Sequence, residues 1–257
     1  MALPGLLAVT RSRQFYGKPS VTQLLQPTRQ AYLLITTDQT INPDKSLSSM
    51  IGTNSHSLME RNMPNGWVSE VRFEDDICSG QIDAYDSISK TLVDFKFYGA
   101  YVLAKKIGHK PTYGATGEYY VRGPKKGQAK WGATWEPSEP DILEPQRQLS
   151  YYRVLLENHG FQVNKLKLQM FLRGGLDATA RSYGLTRFSN PIDLPIIPKE
   201  EIRAYMKEKH DSLMYALDNQ EMPPVCEDRW SNDMKCTTYC GCNISCPYYL
   251  EKHKSKS

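Results

Sequence analysis

Alternating apolar and polar positions mark strands in the middle of the chain. Residues Trp67–Phe73 alternate in this way, and two further strand-like stretches, Cys78–Tyr85 and Thr91–Tyr98, flank the polar segment Asp86–Lys90. Successive side chains of a strand point to opposite faces of its sheet, so this alternation is typical of a half-buried strand. The polar segment between two such stretches predicts a β-hairpin whose loop is Asp86–Lys90.

Other patterns predict helices before and after these strands. The predicted elements are a helix over residues 46–63, a helix over Gln146–Asn158, a strand over Val163–Leu172 and a helix over Ile202–Leu217. Gly160 is a plausible stop for the second helix, and Pro198 introduces the last one. The order helix, three strands, helix, strand, helix predicts an α/β sandwich.

Composition places the chain among ordinary globular proteins. It has 257 residues, of which 40% are hydrophobic and 23% charged, and its net charge is +4. A chain of this length can bury a core without disulfide bonds. No apolar run approaches the roughly 18 residues that span a membrane, and the apolar stretch Met1–Val9 lacks the basic start of a signal peptide. We therefore expect a soluble, cytoplasmic protein that makes no membrane contact.

The densest chemical pattern is Gly80-Gln-Ile-Asp83, followed eleven residues later by Asp94-Phe-Lys96. In a strand, Asp94 and Lys96 point to one face, while Val93, Phe95 and Phe97 point to the other, into a core. If Cys78–Tyr85 pairs with this strand, Asp83 lies beside Asp94. Two carboxylates and an ammonium at one place would suit Mg²⁺ or Mn²⁺ and phosphodiester hydrolysis. Taken alone, each short pattern is also typical of a solvated strand face.

Two further motifs bear on this choice. Gln148 and Tyr152 are four residues apart on the predicted helix, and therefore share one helix face. His56 lies upstream on another predicted helix. A single histidine in this setting is equally compatible with a surface or core-edge position.

The ordered combination His, Gly-x-x-Asp, Asp-x-Lys and Gln-hydrophobic-x-x-Tyr resembles the RecB-like branch of the PD-(D/E)XK nuclease superfamily. The resemblance covers about residues 50–250. It implies a restriction-endonuclease-like core with a central mixed β-sheet flanked by helices. It also implies that His56, Asp83 and Asp94 bind Mg²⁺ or Mn²⁺, and that Lys96 is the catalytic lysine. Gln148 and Tyr152 would support the site and contact DNA.

On this resemblance, the chain divides into three predicted parts. Residues 1–45 form an N-terminal segment that packs on the core, and residues 46–217 form the nuclease core with an insertion at 99–145. Residues 218–257 form a cysteine-cluster segment with a basic tail.

Five of the six cysteines lie within 21 residues near the C-terminus. Cys226, Cys236, Cys240 and Cys246 make a four-ligand set, with Cys242 as an alternate. Thiolates at this density favour Zn²⁺ or an iron–sulfur cluster. Reduced cysteines that hold no metal are the other interpretation.

Several RecB-like nucleases, including CRISPR-associated and recombination exonucleases, end in cysteines that hold a structural 4Fe-4S centre. The resemblance therefore implies such a cluster, with zinc as the alternative. Those families usually place their first cysteine before the nuclease motifs, whereas here no cysteine precedes His56. Cys226 would have to replace that ligand.

The insertion combines basic and aromatic residues. Between positions 105 and 130 a single acid, Glu118, accompanies Lys105, Lys106, Lys110, Arg122, Lys125, Lys126 and Lys130. Cations that track phosphates, with Tyr113, Tyr119, Tyr120 and Trp131 nearby for stacking, suit a groove for single-stranded DNA. A solvated, mobile loop has the same composition.

These observations together predict a metal-dependent deoxyribonuclease, with an exonuclease mode on DNA ends implied by the resemblance alone. A protein partner in recombination, repair or CRISPR-type adaptation is a further expectation. The alternative is a non-catalytic DNA-binding or assembly subunit that keeps the nuclease fold and a zinc or iron–sulfur site. A zinc-ribbon interaction protein would explain the cysteines, but it would leave residues 56–152 unexplained.

Overall fold

A mixed five-stranded β-sheet forms the centre of the computed structural model, which describes residues 15–38, 52 and 54–253. Its strand order is β1-β4-β5-β8-β9. The strands are β1 (Trp67–Ser69), β4 (Ala84–Asp86), β5 (Thr91–Tyr98), β8 (Lys165–Leu172) and β9 (Ser189–Leu194). Strands β5 and β8 are parallel, and the other neighbours are antiparallel. The expected α/β architecture with helices around a mixed sheet is therefore confirmed.

Helix α5 (Leu143–Asn158) connects the two parallel strands and covers one face of the sheet. Its buried face includes Leu149 and Leu155, and Leu166, Leu168 and Met170 of β8 are buried as well. These β8 residues are two apart, so they lie on one face of the strand. Burial of this apolar layer is the main stabilising term of the central fold.

The other helices surround this centre. They are α1 (Val21–Leu25), α2 (Thr28–Thr36), α3 (54–60), α4 (Ala100–Lys106), α6 (Ala178–Ser182), α7 (Lys199–Asp218) and α8 (Pro247–His253). Ser20 begins α1 with a capping box, in which Ser20 Oγ accepts a hydrogen bond from the Gln23 backbone amide and Gln23 Oε1 accepts one from the Ser20 backbone amide. Helix α2 packs against α7. Among the described residues, no helix has the length and apolar character to cross a bilayer.

Two predicted strands are each broken into two. Residues 67–73 divide into β1 and β2 (Arg72–Glu74), and residues 78–85 divide into β3 (Ser79–Gln81) and β4. The first break follows Glu70, whose φ of +53° ends the extended conformation. Strands β2 and β3 then pair in a separate small sheet. The second break lies around Asp83, between β3 and β4.

The predicted hairpin is confirmed, because β4 pairs antiparallel with β5 across the Asp86–Lys90 segment. The alternative interpretation, a mobile loop within the predicted insertion 99–145, is wrong for most of this region. After α4, this region forms a long two-stranded ribbon of β6 (His109–Tyr119) and β7 (Ala129–Pro137). The stretch 1–9, residues 46–51 of the predicted helix and the end of the tail lie outside the described residues.

Candidate metal and catalytic site

The β4–β5 hairpin positions Asp83 against the middle of β5. Its register pairs Ala84 with Val93, and the Phe95 amide donates a 2.7 Å hydrogen bond to Oδ2 of Asp83. Asp83 lies in the break between β3 and β4. Its side-chain oxygen therefore accepts the hydrogen bond from the Phe95 amide that a backbone carbonyl would accept if the strand were continuous. The other oxygen, Oδ1, is left to face His56.

Helix α3 carries His56 onto the same part of β5. Its Nε2 lies 3.1 Å from the Phe95 carbonyl oxygen and must donate there, because a carbonyl can only accept. In the neutral ring this leaves the lone pair on Nδ1. Nδ1 lies 3.5 Å from Oε1 of Glu70 and 3.6 Å from Oδ1 of Asp83. A backbone contact that orients a histidine in this way is typical of metal-binding imidazoles.

Glu70 is a member of the site that the sequence did not reveal. Strand β1 pairs Ser69 with Ala84, so Glu70 comes to lie beside Asp83, and its amide donates to the Asp83 carbonyl at 3.3 Å. The Gln81 side chain donates a 2.6 Å hydrogen bond to Oε2 of Glu70. The β1–β4 register brings this carboxylate into place, and local sequence does not encode that register.

The ligand atoms of His56, Glu70 and Asp83 all lie within 4.8 Å of one another. Two carboxylates and an imidazole lone pair that converge without a donor repel one another. Burial, and then the charge of Asp94, raise the pKa of Asp83 to about 8. A cation placed among these atoms would relieve both effects.

Asp94 and Lys96 lie together on the α5 side of the sheet. Asp94 is only 2% exposed, and Lys96 Nζ lies 2.9 Å from its Oδ1 and 2.7 Å from its Oδ2. The Lys96 ammonium therefore contacts both oxygens of this buried carboxylate. Burial opposes the charged form of Lys96, but the Asp94 and Asp83 carboxylates outweigh it and raise the pKa of the ammonium.

Gln148 and Tyr152 of α5 hold Asp94 from the opposite side. The Gln148 amide lies 3.3 Å from Oδ1 of Asp94 and 3.2 Å from the Tyr152 hydroxyl. Burial, and then the charge of Asp94, raise the pKa of Tyr152 to about 12. Gly80 makes this approach possible, because a Cβ there would lie 2.5 Å from Cε1 of Tyr152.

The six predicted residues thus come together, but in two groups. His56 and Asp83 join Glu70 in the three-ligand group, whereas Asp94 pairs with Lys96, Gln148 and Tyr152 and is not part of that group. We call His56, Glu70, Asp83, Asp94 and Lys96 the sheet site. The sequence predicts that Phe95 and Phe97 point into a core, but both side chains are only half-buried, beside His56. The larger apolar layer lies on the Asp94 side, under α5.

Five cysteines line one cavity at the C-terminus, which we call the thiol cavity: Cys226, Cys236, Cys240, Cys242 and Cys246. Arg29, Gln30 and Leu33 of α2 also line it. Cys242 is buried, and its Sγ lies 3.5 Å from that of Cys240 and 3.9 Å from the Gln30 carbonyl oxygen. Hydrogen bonding to Cys242 lowers the pKa of Cys240 to about 6. The thiols therefore lie against the N-terminal helix, although the two segments are far apart in the chain.

No protein-family model matches this chain, and no curated protein sequence matches it. Among solved structures, it is similar to a phage-related exonuclease from Haemophilus somnus 129PT. That superposition has a TM-score of 0.36 and 11% sequence identity, and it covers 75% of this chain and 80% of that chain. At this level of likeness, the activity has to be inferred from the side chains.

The basic residues of the insertion fall into different environments. Lys106 is only 7% exposed and lies 3.5 Å from Asp141, which Lys105 also approaches at 3.9 Å. Lys130 pairs with Glu118 at 2.9 Å. Lys110 and the three cations of the β6–β7 turn, Arg122, Lys125 and Lys126, are exposed. The predicted basic set is therefore not one continuous surface.

Proposed function

We propose that this chain is a divalent-metal-dependent deoxyribonuclease that hydrolyses phosphodiester bonds. The observation that carries the proposal is the convergence of the His56, Glu70 and Asp83 ligand atoms within 4.8 Å, next to the Asp94–Lys96 pair. Two carboxyl groups and an imidazole nitrogen offer three ligand atoms for a cation, and an ammonium held beside them suits a negatively charged substrate.

The donor set fits Mg²⁺ or Mn²⁺. Hard cations of this kind take carboxylate oxygens and keep several waters, and Mn²⁺ also accepts an imidazole. His56 and Asp83 would hold the ion together with Glu70, and Oδ2 of Asp94, which the Lys96 ammonium contacts at 2.7 Å, offers a further oxygen. This set keeps the His56, Asp83 and Asp94 ligands of the resemblance and adds Glu70.

When bound, the metal would offset phosphate charge and activate the attacking water. Lys96 has three donors, of which Asp94 takes only part, and its side chain is 30% exposed. It can therefore donate to the water or to a phosphate oxygen, and so stabilise charge that develops in the transition state. Gln148 and Tyr152 would keep Asp94, and through it Lys96, in place.

DNA as the substrate, and an exonuclease mode on DNA ends, follow from the resemblance to RecB-like nucleases. The exposed cations of the β6–β7 turn support a polyanionic substrate. A protein partner in recombination, repair or CRISPR-type adaptation is part of the same proposal.

Cleavage of end-labelled single- and double-stranded DNA with Mn²⁺ or Mg²⁺ tests the activity. Metal-dependent product that disappears in Asp94→Ala is the expected result, and the product ladder distinguishes cutting at ends from internal cutting. Cleavage by wild type that persists in excess EDTA would contradict the proposal. A folded, metal-loaded wild type that cleaves nothing would favour the non-catalytic DNA-binding subunit.

We further propose that Cys226, Cys236, Cys240 and Cys246 hold a structural 4Fe-4S cluster. All five cysteines line one cavity, as the ligands of one metal centre would. The choice of the cluster over zinc follows from the resemblance to RecB-like nucleases that end in such a centre. Cys242, which lies against the Gln30 carbonyl, is the spare thiol.

Elemental analysis of anaerobically purified protein separates the two metals. About four iron atoms per chain, with the absorbance of an iron–sulfur cluster, are expected. One zinc atom per chain without iron would contradict the cluster and leave zinc as the ligand of the same thiols.

A further inference from the structure

The β6–β7 ribbon presents large aromatic rings on one of its faces. Tyr113 is 70% exposed and Trp131 is 75% exposed, although rings of this size are normally covered. Tyr113, Trp131 and Trp135 share this face, because directly opposite residues of an antiparallel pair lie on the same side. Their cross-strand partners are Ala133, Ala115 and Pro111, respectively. No ring of the three therefore lies directly opposite another ring, and the exposed rings keep their faces open.

The three rings form a diagonal row. Trp131 and Trp135 lie two residues to either side of the partner of Tyr113, and such diagonal neighbours are about 7–8 Å apart. We call Trp131, Tyr113 and Trp135 the aromatic row. Successive flat rings at this spacing resemble the stacking surfaces on which consecutive unpaired bases bind.

The base of the row is packed against the core near β5. Trp135 lies 4.5 Å from the Tyr183 ring and 5.2 Å from the Tyr101 ring, measured between centroids. Tyr101 belongs to α4, which begins directly after β5, and is five residues from Lys96. The row thus starts beside the strand that carries the sheet site and extends along the ribbon.

The far end of the ribbon is basic. Arg122, Lys125 and Lys126 are exposed in the turn, and among the described residues no carboxylate lies within ion-pair distance of them. The Lys130 ammonium is paired with Glu118, so it contributes less. Cations at the turn and open rings along one face supply the two recognition elements of single strands, phosphate attraction and base stacking.

We propose that the β6–β7 ribbon binds single-stranded DNA, with bases stacked on the aromatic row and phosphates held by the cations of the turn. This inference rests on the proposed function in one respect, namely that the bound DNA strand runs toward the sheet site. It narrows the substrate from DNA in general to single-stranded DNA. Duplex DNA buries the faces of its bases, so it cannot use the rings in this way.

Binding of a fluorescent oligo-dT strand in EDTA tests this proposal without cleavage. Tyr113→Ala combined with Trp131→Ala should weaken binding about 10-fold or more, because each stacked base contributes substantially to affinity. Trp131→Phe should retain most of the affinity, since a ring remains. Tyr215→Ala, which removes an exposed ring on α7, is the matched control and should bind as wild type does. Unchanged unfolding temperatures would exclude a folding defect.

The salt dependence of DNA affinity separates the contribution of base stacking from that of phosphate attraction. Lys125→Gln with Lys126→Gln should reduce the slope of log affinity against log salt by about 0.7 for each phosphate that these lysines no longer neutralise. The aromatic variant should keep the wild-type slope. Duplex binding should change in the lysine variant but not in the aromatic one.

Two results would overturn the proposal. One is a wild type that binds no single strand at low salt, which would leave the rings as a surface for a protein. The other is an aromatic variant that binds single strands as tightly as wild type. Because the assay contains no metal, a chain that binds through the row but never cleaves would contradict only the nuclease. A chain that cleaves but ignores the loss of the rings would contradict only the binding role of the ribbon.

Discussion

The three-ligand group of the sheet site, His56, Glu70 and Asp83, comes from one helix and two strand ends that span 28 residues, whereas the thiols of the thiol cavity come from 21 consecutive residues. In the sheet site, the Phe95 carbonyl orients His56, the Phe95 amide orients Asp83, and the Gln81 side chain orients Glu70. The thiol cavity instead closes against a distant helix, α2. The comparison indicates two ways to build a metal site. In the sheet site, strand pairing brings together ligands that are far apart in the sequence. In the thiol cavity, the ligands are already close together in a short segment with many loops.

The two sites also differ in what their loss should affect. The sheet site gathers like charges on a fold that the apolar layer under α5 already stabilises. The thiol cavity joins α2 to the C-terminal segment, where Arg29 also donates a 2.7 Å hydrogen bond to the Pro223 carbonyl. We therefore expect changes in the sheet site to affect catalysis, and changes in the thiol cavity to affect stability.

Asp83→Asn is expected to give the largest difference between loss of cleavage and loss of stability. Asparagine can still accept the Phe95 amide, but it removes one anionic ligand, so cleavage should fall at least about 1,000-fold as several kcal/mol of charge stabilisation are lost. The metal-free variant should unfold at or above the wild-type temperature, because burying the Asp83 charge beside Asp94 is costly. Single-turnover cleavage and thermal unfolding measure both quantities.

Asp193→Asn is the control for this variant, since Asp193 is exposed on β9 and pairs with Lys167 at 3.5 Å, away from the sheet site. It should cleave as wild type does. An Asp83→Asn protein with normal cleavage would exclude the sheet site as the metal centre. Loss of iron in Asp83→Asn would show that the two sites are not independent.

Serine replacement of Cys226, Cys240 or Cys246 should lower stability and leave cleavage intact, the opposite of the result expected for Asp83→Asn. Loss of a cluster ligand should remove most of the iron and about 3 kcal/mol or more of stability, which corresponds to roughly 10 °C in unfolding temperature. Cleavage at low temperature by the remaining folded protein should persist. Iron analysis and calorimetry on the same samples test this.

Cys78→Ser and Cys242→Ser sharpen the test. Cys78 is fully buried elsewhere in the core, so its variant should lose stability but keep its iron. Cys242→Ser should keep the iron as well, if Cys242 is the spare thiol. Equal iron loss in Cys242→Ser and Cys226→Ser would contradict the proposed ligand set.

Local sequence patterns were sufficient to predict the bounds of the central elements. Strand β5 has the predicted bounds Thr91–Tyr98, and α5 differs from its prediction only by three residues at its start. The Asp94 and Lys96 side chains share a face for the same reason, the two-residue period of a strand. The clustering of the thiols could be predicted because all five lie within 21 residues of the sequence.

Long-range register and exposed strands were not predictable in this way. Glu70 joins the site through the β1–β4 pairing and a left-handed backbone, neither of which leaves an apolar pattern in the sequence. Strands β6 and β7 escaped prediction because both of their faces are largely exposed, so no alternation of burial is written into 109–137.

Glu70→Gln tests the proposed metal ligand that the β1–β4 strand pairing brings to the site. The amide keeps an oxygen for Gln81 but lowers the negative charge around the ion, so we expect the Mn²⁺ concentration for half-maximal cleavage to rise about 10–100-fold. Activity at saturating Mn²⁺ should recover most of the wild-type rate. Glu74→Gln, at an exposed glutamate near Lys18, is the matched control and should leave the titration unchanged. A Glu70→Gln titration that overlays that of wild type would exclude Glu70 as a ligand.

Gly80→Ala addresses the packing that keeps the sheet site in register. The new Cβ would lie 2.5 Å from the Tyr152 ring and 3.1 Å from Leu155, so α5 must shift, at a cost of about 1–3 kcal/mol. Gln148 moves with the helix, and the cleavage rate should fall by about 10-fold, while iron content stays constant because the thiol cavity lies elsewhere. Gly175→Ala, where no atom lies within 4 Å of the added Cβ, should change neither quantity. Equal unfolding temperatures and rates for the two variants would mean that β3 does not pack against α5 as described, and the dependence of the sheet site on register would lose its structural basis.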